Sequence, residues 1–301
     1  MITYTLHFVL VCINGICPQA TFPSIDKCYF GPGQIAAQLQ QCSNGDARLR
    51  KGNFYKYEFK GKNKPLNGEV SGEASRVIRE RNPILQERYN HLVMIIPNGA
   101  VKDPFFGQAG MPGTEMKLND QAECSTSLFL HEFGHNLGLG HAHLGVQEYG
   151  DTTGLMGYSW GDGIRRACYN AFNHYFLGWH LSNTRVLFFL PQDHIRVYAL
   201  VNHNKTQPVI YKYKDMYWQY NHAVGFNSDT DKHKNEVVIV SKGRDKTDSY
   251  LIGGISKQNP ELTFGGVRFR YVSTAPDASY ITITVTMAVN GACPDDDGSF
   301  F

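Results

Sequence analysis

Two histidines stand four residues apart in the segment His131-Glu132-Phe133-Gly134-His135. On an α-helix four residues advance about 1.1 turns, so both imidazole rings point to the same side and can bind one metal ion. Neutral imidazole is a ligand that suits zinc. Glu132 leans toward the same face, where its carboxylate can take a proton from a metal-bound water. The pattern therefore predicts a hydrolytic zinc centre with Glu132 as its catalytic base.

The residues that follow this short pattern make it specific. By chance alone it recurs in roughly a few per cent of chains of this length. Here it continues as Asn136-Leu137-Gly138-Leu139-Gly140-His141. Gly138 can adopt a positive φ, end the helix and reverse the chain, so that His141 returns as a third ligand. Three protein ligands leave a fourth position open, as in catalytic zinc sites. One zinc ion is the predicted cofactor, and a satisfied core histidine is the alternative for any one of the three.

The segment His131–His141 resembles the extended motif of the metzincin clan of zinc endopeptidases. The resemblance implies a methionine-containing turn beneath the metal, and Met156 stands where that turn belongs; a plain core methionine is the alternative. In some related enzymes a tyrosine two residues later stabilises the oxyanion. That makes Tyr158 a second catalytic candidate, with a buried structural tyrosine as the alternative.

One departure from the clan pattern concerns the residues after the third ligand. Many metzincins carry an acidic residue there, whereas this chain has Ala142 followed by His143. His143 could be mistaken for a ligand, but the spacing of the motif selects His141.

Flanking segments are similar to the gametolysin (autolysin) family, whose known members are secreted proteases of extracellular-matrix glycoproteins. Specific motifs cover roughly residues 5–180, and residues 186–290 are similar only in their β-rich character. The resemblance implies a zinc endopeptidase acting on extracellular or cell-wall (matrix) glycoproteins. The segments that carry it are Glu148–Asp151, Met156-Gly157, Cys168–Ala171, Leu177–Trp179 and the stretch through Gln41-Cys42-Ser43.

The family's fold is a twisted mixed sheet on the active-site helix, with the third ligand and the methionine turn in a smaller lower half. It would bind its substrate as an extended strand along a sheet edge above the zinc. The Gly-rich stretch Pro104–Asn119 is the candidate edge.

Two other functions remain open at this point. A catalytically inactive matrix-binding protein could keep the metzincin fold, although a complete set of ligands and base argues against it. A zinc hydrolase of non-peptide substrates is the other alternative. A fluorogenic peptide assay with and without a chelator separates the endopeptidase from the inactive binding protein.

The helix that carries the motif is predicted over Asp120–Leu137, with Asp120 as its N-cap and Gly138 as its stop. Two further helices are predicted over residues 72–90, broken near Pro83, and over Arg166–Leu177. His91–Ile96 is the best strand of the N-terminal half, and its continuous apolar run is typical of a buried central strand. Leu6–Ile13, which is rich in β-branched residues and ends at the hairpin signal Asn14-Gly15, is predicted as the first strand.

After Gly178-Trp179 the sequence changes in character, and short segments typical of β-strands follow one another as far as Met287. The predicted class is therefore α+β. A metzincin-like catalytic domain over residues 1–182 precedes an all-β, sandwich-like domain over residues 183–301. That second domain is either a binding module or a brace for the catalytic half.

Composition limits the partners. Lys plus Arg is 29 and Asp plus Glu is 27, so the net charge is 29 − 27 = +2, which gives no reason to expect nucleic acid. No apolar run is long enough to span a membrane. Asp295–Asp297 is better explained as solvated charge than as a calcium site, and the sequence does not indicate an oligomeric state.

The seven cysteines and the sequon at Asn204 favour an extracellular chain with two or three disulfides and at least one unpaired thiol. Their pairing cannot be derived from the sequence. Leu6–Ile13 reads as a strand rather than as the centre of a signal peptide. On this interpretation Met1 need not be the native start, and any signal or pro-segment would lie upstream of it.

Overall fold

The chain forms two units, each with its own β-structure. The computed structural model describes residues 1–157, 166–191, 193–201, 203–204 and 206–288. Of these, residues 1–41 and 45–139 belong to the first unit, and residues 42–44, 140–157 and those described from 166 to 288 belong to the second. The mixture of helices with several sheets confirms the predicted α+β class.

A five-stranded sheet organises the first unit, in the order β2-β1-β3-β5-β4. Strands β2, β1, β3 and β5 run parallel to one another, and β4 pairs antiparallel with β5 at the edge. The elements in chain order are β1 (Ile2–Ile13), α1 (Phe22–Phe30), α2 (Ile35–Cys42), β2 (Ala47–Phe59), α3 (Asn67–Arg81), a 3-10 helix (Pro83–Gln86), β3 (Asn90–Ile96), β4 (Gly107–Ala109), β5 (Glu115–Asn119) and α4 (Thr126–Asn136).

Burial explains the apolar runs of the two central strands. Every residue of β1 from Tyr4 to Ile13 is buried, and so is every residue of β3. Strands covered on both faces read as continuous rather than alternating apolar runs. The edge strand β4 lies inside the stretch Pro104–Asn119.

The helix that carries the motif begins later than the sequence suggests. α4 starts at Thr126, and the Ser125 hydroxyl accepts the backbone N–H of Leu128 as its cap. Asp120 is not the cap, because its carboxylate accepts the backbone N–H groups of Gln19 and Asn98 at 3.0 and 2.8 Å. The predicted boundary at Asp120 is therefore wrong.

Proline placement corrects the other predicted helix of this unit. α3 ends at Arg81, because the residue before a proline is disfavoured in the helical conformation. Pro83 then opens a separate 3-10 helix, and the chain is extended again at Asn90, where β3 begins.

The second unit contains two sheets whose facing sides form a common apolar core around Trp218 and Phe269. The six-stranded sheet has the order β6-β12-β11-β10-β9-β7 and the four-stranded sheet the order β13-β14-β15-β8. The elements are β6 (Ala142–His143), α5 (Ala171–Phe176), β7 (Thr184–Leu187), β8 (Ile195–Tyr198), β9 (Ile210–Tyr213), β10 (Met216–Tyr220), β11 (Val237–Lys242), β12 (Ser249–Ile255), β13 (Glu261–Phe264), β14 (Val267–Thr274) and β15 (Tyr280–Met287), with 3-10 helices at Leu181–Asn183 and Gly225–Asn227.

Two features of the second unit refine the sequence expectations. α5 begins at Ala171 rather than Arg166, because the Asn170 side chain caps it by accepting the N–H of Asn173. β6 precedes residue 182 yet pairs in parallel with β12. The division into domains at residues 182 and 183 stays a prediction.

Three disulfides join six of the seven cysteines: Cys12–Cys17, Cys28–Cys124 and Cys42–Cys168. Cys293 lies outside the described residues. Within the part of the chain that the structure describes, every helix is too short or too polar to cross a bilayer.

Candidate metal centre

α4 presents His131 and His135 on one side. Their Nε2 atoms lie 3.1 Å apart and the two rings are nearly perpendicular, with centroids separated by 4.8 Å. The Nδ1 of His135 lies 2.8 Å from the carbonyl oxygen of Leu139. If Nδ1 carries the proton and donates it to this carbonyl, the lone pair of Nε2 points toward His131.

The third imidazole arrives through a tight reversal of the chain. α4 ends at Asn136, Gly138 has φ +94°, and the Leu139 N–H returns to the Gly134 carbonyl at 3.0 Å. As the sequence predicts, a residue other than glycine would be strained at this φ. Ligand atoms of His131, His135 and His141 all lie within 4.8 Å of one another.

The separation between His131 and His135 fits a tetrahedral zinc ion. Zn–N bonds of about 2.0–2.1 Å place neighbouring nitrogens about 3.3 Å apart, close to the His131–His135 separation. The donor set of three imidazoles is also one that zinc commonly takes in catalytic sites.

His141 has an acidic partner on its outer nitrogen. Glu148 Oε1 lies 2.7 Å from His141 Nδ1, and the ring packs on Tyr149 with centroids 4.2 Å apart. A carboxylate on Nδ1 fixes the tautomer that leaves Nε2 for a metal and makes that nitrogen more basic. The sequence analysis used Glu148 only as part of a flanking segment and gave it no role.

Glu132 is buried in the first unit, with 3% of its surface exposed. Burial raises the pKa of its carboxyl group to about 8. A divalent cation nearby would act in the opposite direction and favour the carboxylate. The edge strand covers this side chain: a Cβ at Gly107 would lie 2.8 Å from Glu132 Oε1.

The sequence matches the profile of gametolysin peptidase M11 over residues 2–186, which is 185 of 301 residues. The chain belongs to the gametolysin peptidase M11 family. The family resemblance drawn from the motif and its flanks is therefore confirmed.

Other comparisons give distant likenesses. No curated protein matches the chain. A structure of a chaperone–substrate complex is 17% identical with TM-score 0.33, covering 57% of this chain and 29% of its own. Metalloproteinase-II from Bacteroides fragilis is 14% identical with TM-score 0.31, covering 52% and 46%. The chain thus spans less than half the length of either, and we draw no inference from them.

The remaining predicted site residues have different outcomes. Met156 is fully buried, and its carbonyl accepts the N–H of Ala142, next to the third histidine, at 2.9 Å. Its place beneath the metal stays a prediction. Tyr158 lies outside the described residues. His143 is absent from the group of side chains that could hold a metal; its Nε2 lies 3.1 Å from Asp248 Oδ2.

Sequence reasoning missed Asn136, which fastens the β4–β5 hairpin to the end of α4. Its carbonyl accepts the Gly113 N–H at 3.1 Å. When the side-chain amide is oriented so that its nitrogen and its oxygen both have suitable partners, the nitrogen donates to the carbonyls of Gly110 and Glu115 at 3.1 and 2.9 Å. The amide oxygen then faces His91 Nδ1. The position next to a predicted ligand was the only available signal.

Proposed function

We propose that this protein is a metallopeptidase, and specifically a zinc endopeptidase in which His131, His135 and His141 hold one zinc ion and Glu132 transfers protons. The observation that supports it most is the group of three imidazoles whose ligand atoms lie within 4.8 Å of one another. Glu132 directly follows the first of them in the sequence. A complete set of ligands and base argues against an inactive, matrix-binding function.

Zinc, when bound, supplies a Lewis acid that polarises the scissile carbonyl and acidifies water. Glu132 takes a proton from the attacking water and later gives it to the amine of the leaving peptide. The Leu139 carbonyl and Glu148 keep two of the imidazoles in a fixed orientation. The contribution of Tyr158 to oxyanion stabilisation stays a prediction.

The edge strand β4 is the proposed substrate platform. It is the last strand of the sheet and pairs with β5 on one side. Among the described residues no strand pairs with its other side, which leaves that side available to a peptide. An extended peptide can add to such an edge through backbone hydrogen bonds. Because Gly107 lies against Glu132, a peptide bond held on β4 comes close to the catalytic base.

We also propose an extracellular location and matrix or cell-wall glycoproteins as substrates. Three disulfides favour an oxidising compartment. The family resemblance supports the substrate class.

Peptide cleavage with and without a chelator tests the proposed activity. Cleavage of a fluorogenic peptide library should stop on chelation and return with zinc. Glu132→Ala should lower kcat by about 100- to 10,000-fold while zinc content is unchanged. Retained turnover in Glu132→Ala would remove Glu132 from this role. A wild-type protein that binds zinc but cleaves no peptide would contradict the endopeptidase proposal.

A further inference from the structure

The segment that carries His141 is held by the six-stranded sheet of the second unit. His141 directly precedes β6, the edge strand that pairs with β12. The Gly140 N–H donates to the Thr247 carbonyl at 3.1 Å, and the Ser249 N–H donates to the His141 carbonyl at 3.1 Å. The backbone on both sides of the third imidazole is thus fixed by residues more than 100 positions further along the chain.

A single carboxylate completes this arrangement. The His141 N–H cannot use the backbone ladder and donates instead to Asp248 Oδ1 at 2.9 Å. Asp248 Oδ2 lies 3.1 Å from His143 Nε2, so the two oxygens contact the residues at i and i+2 of one short segment. Hydrogen bonds to a charged acceptor are about twice as strong as neutral ones.

The surroundings keep Asp248 in place. Its backbone N–H and that of Thr247 both donate to Asp245 Oδ1, at 2.9 and 3.0 Å. The His143 ring is stacked on Tyr250 with centroids 4.6 Å apart, which fixes the second partner of the carboxylate. Only 20% of the Asp248 side chain is exposed.

Gly140 makes the close approach possible. A Cβ at this position would lie 1.9 Å from Asp248 Oδ1 and 2.9 Å from the Thr247 hydroxyl oxygen. Any larger residue at position 140 must therefore displace the carboxylate from the His141 N–H.

We propose that Asp248 is a positioning residue for the metal centre, which sets the place of His141 through its backbone N–H and through His143. The inference rests on the proposed function, in which His141 is a zinc ligand. It makes the region beyond residue 186, where the family match ends, a brace of the metal centre. Asp248 contacts neither metal nor substrate in this account.

Zinc affinity is the test, because a merely structural role in the second unit would not change it selectively. Competition with a chromophoric chelator gives the zinc Kd of the full chain and its variants. Asp248→Ala should raise Kd about 10- to 100-fold, as for other residues that orient metal ligands. Asp248→Asn keeps an oxygen acceptor for the His141 N–H and a second polar atom for His143, so its Kd should lie within several-fold of the wild type.

Two further variants sharpen the comparison. Gly140→Ala should weaken zinc binding like Asp248→Ala, and it serves as the test if Asp248→Ala does not fold. Asp277→Ala is the matched control, because the Asp277 carboxylate also accepts hydrogen bonds at a turn of this unit, but from Ser279 rather than from the segment that carries His141. Its Kd should equal that of the wild type.

The visible spectrum of the cobalt-substituted protein gives a second reading. Asp248→Ala should change the band positions or intensities that report ligand geometry, and Asp248→Asn should restore them. Wild-type Kd and spectrum in both Asp248→Ala and Gly140→Ala would overturn the positioning role while leaving the proposed function intact. A wild-type chain that binds no zinc would overturn both.

Discussion

Gly107 lies so close to Glu132 that a Cβ at position 107 would come within 2.8 Å of Oε1 and 2.9 Å of Cγ. The backbone of the edge strand therefore packs directly on the side chain proposed as the base. Because the backbone φ of Gly107 is not positive, the reason for a glycine here is the close approach of the strand backbone to the Glu132 side chain.

Gly107→Ala should lower kcat/KM about 10- to 100-fold, because either the strand or the carboxylate must shift by a fraction of an ångström or more. Zinc content should not change. Steady-state cleavage of a fluorogenic peptide measures the effect. Gly72→Ala in α3 is the matched control, because an added Cβ there meets no atom within 4 Å. Wild-type kcat/KM in Gly107→Ala would show that this contact has no bearing on catalysis.

Acid should destabilise the first unit through His91. Burial lowers the pKa of His91 from 6.5 to about 4, and the side chain is 2% exposed. The unfolded chain takes up a proton below about pH 6.5 and the folded chain only below about pH 4. This contribution to stability is therefore complete above pH 6.5 and is lost as the pH falls toward 4.

Between pH 7.5 and 4.5 the loss should reach about 2 kcal/mol in the free energy of unfolding. Urea unfolding of the metal-free wild type and of His91→Gln at both pH values isolates the contribution of His91 to the free energy of unfolding, because other titrating groups act equally in both proteins. The pH-dependence should be smaller in His91→Gln. Identical pH-dependence in the two proteins would be the contrary result.

The disulfides should differ in their contribution to stability according to the loops they close. Cys28–Cys124 closes a separation of 96 residues and Cys12–Cys17 one of 5 residues. In the chain-entropy account the long loop is worth about 5 kcal/mol and the short one about 2 kcal/mol. Replacing each pair by serine should lower Tm more for Cys28–Cys124. Equal or reversed losses in thermal unfolding would count against this ranking.

Local patterns predicted the parts of the centre that depend on local geometry. The i, i+4 spacing places His131 beside His135, and a glycine two residues after the helix end allows the reversal toward His141. Both follow from the dihedral preferences of a short segment. The continuous apolar runs of β1 and β3 likewise report burial on both faces.

Contacts between distant segments could not be predicted in this way. Asp248 meets the His141 N–H across a sequence separation of 107 residues, and no local pattern marks one aspartate among many for that contact. The prediction that Asp120 caps α4 was wrong for a related reason. Asp120 has a carboxylate suited to capping a helix, but this carboxylate accepts hydrogen bonds from backbone N–H groups distant in the sequence. Ser125 is the N-cap instead.

Metal stoichiometry tests the central claim most directly. Elemental analysis of folded protein, equilibrated with zinc and freed of excess, should give one zinc per chain. His131→Ala, His135→Ala and His141→Ala should each retain less than about a tenth of that amount under the same conditions, because two imidazoles hold zinc far more weakly than three. A wild-type chain without stoichiometric zinc, or three variants that all keep a full equivalent, would contradict the account.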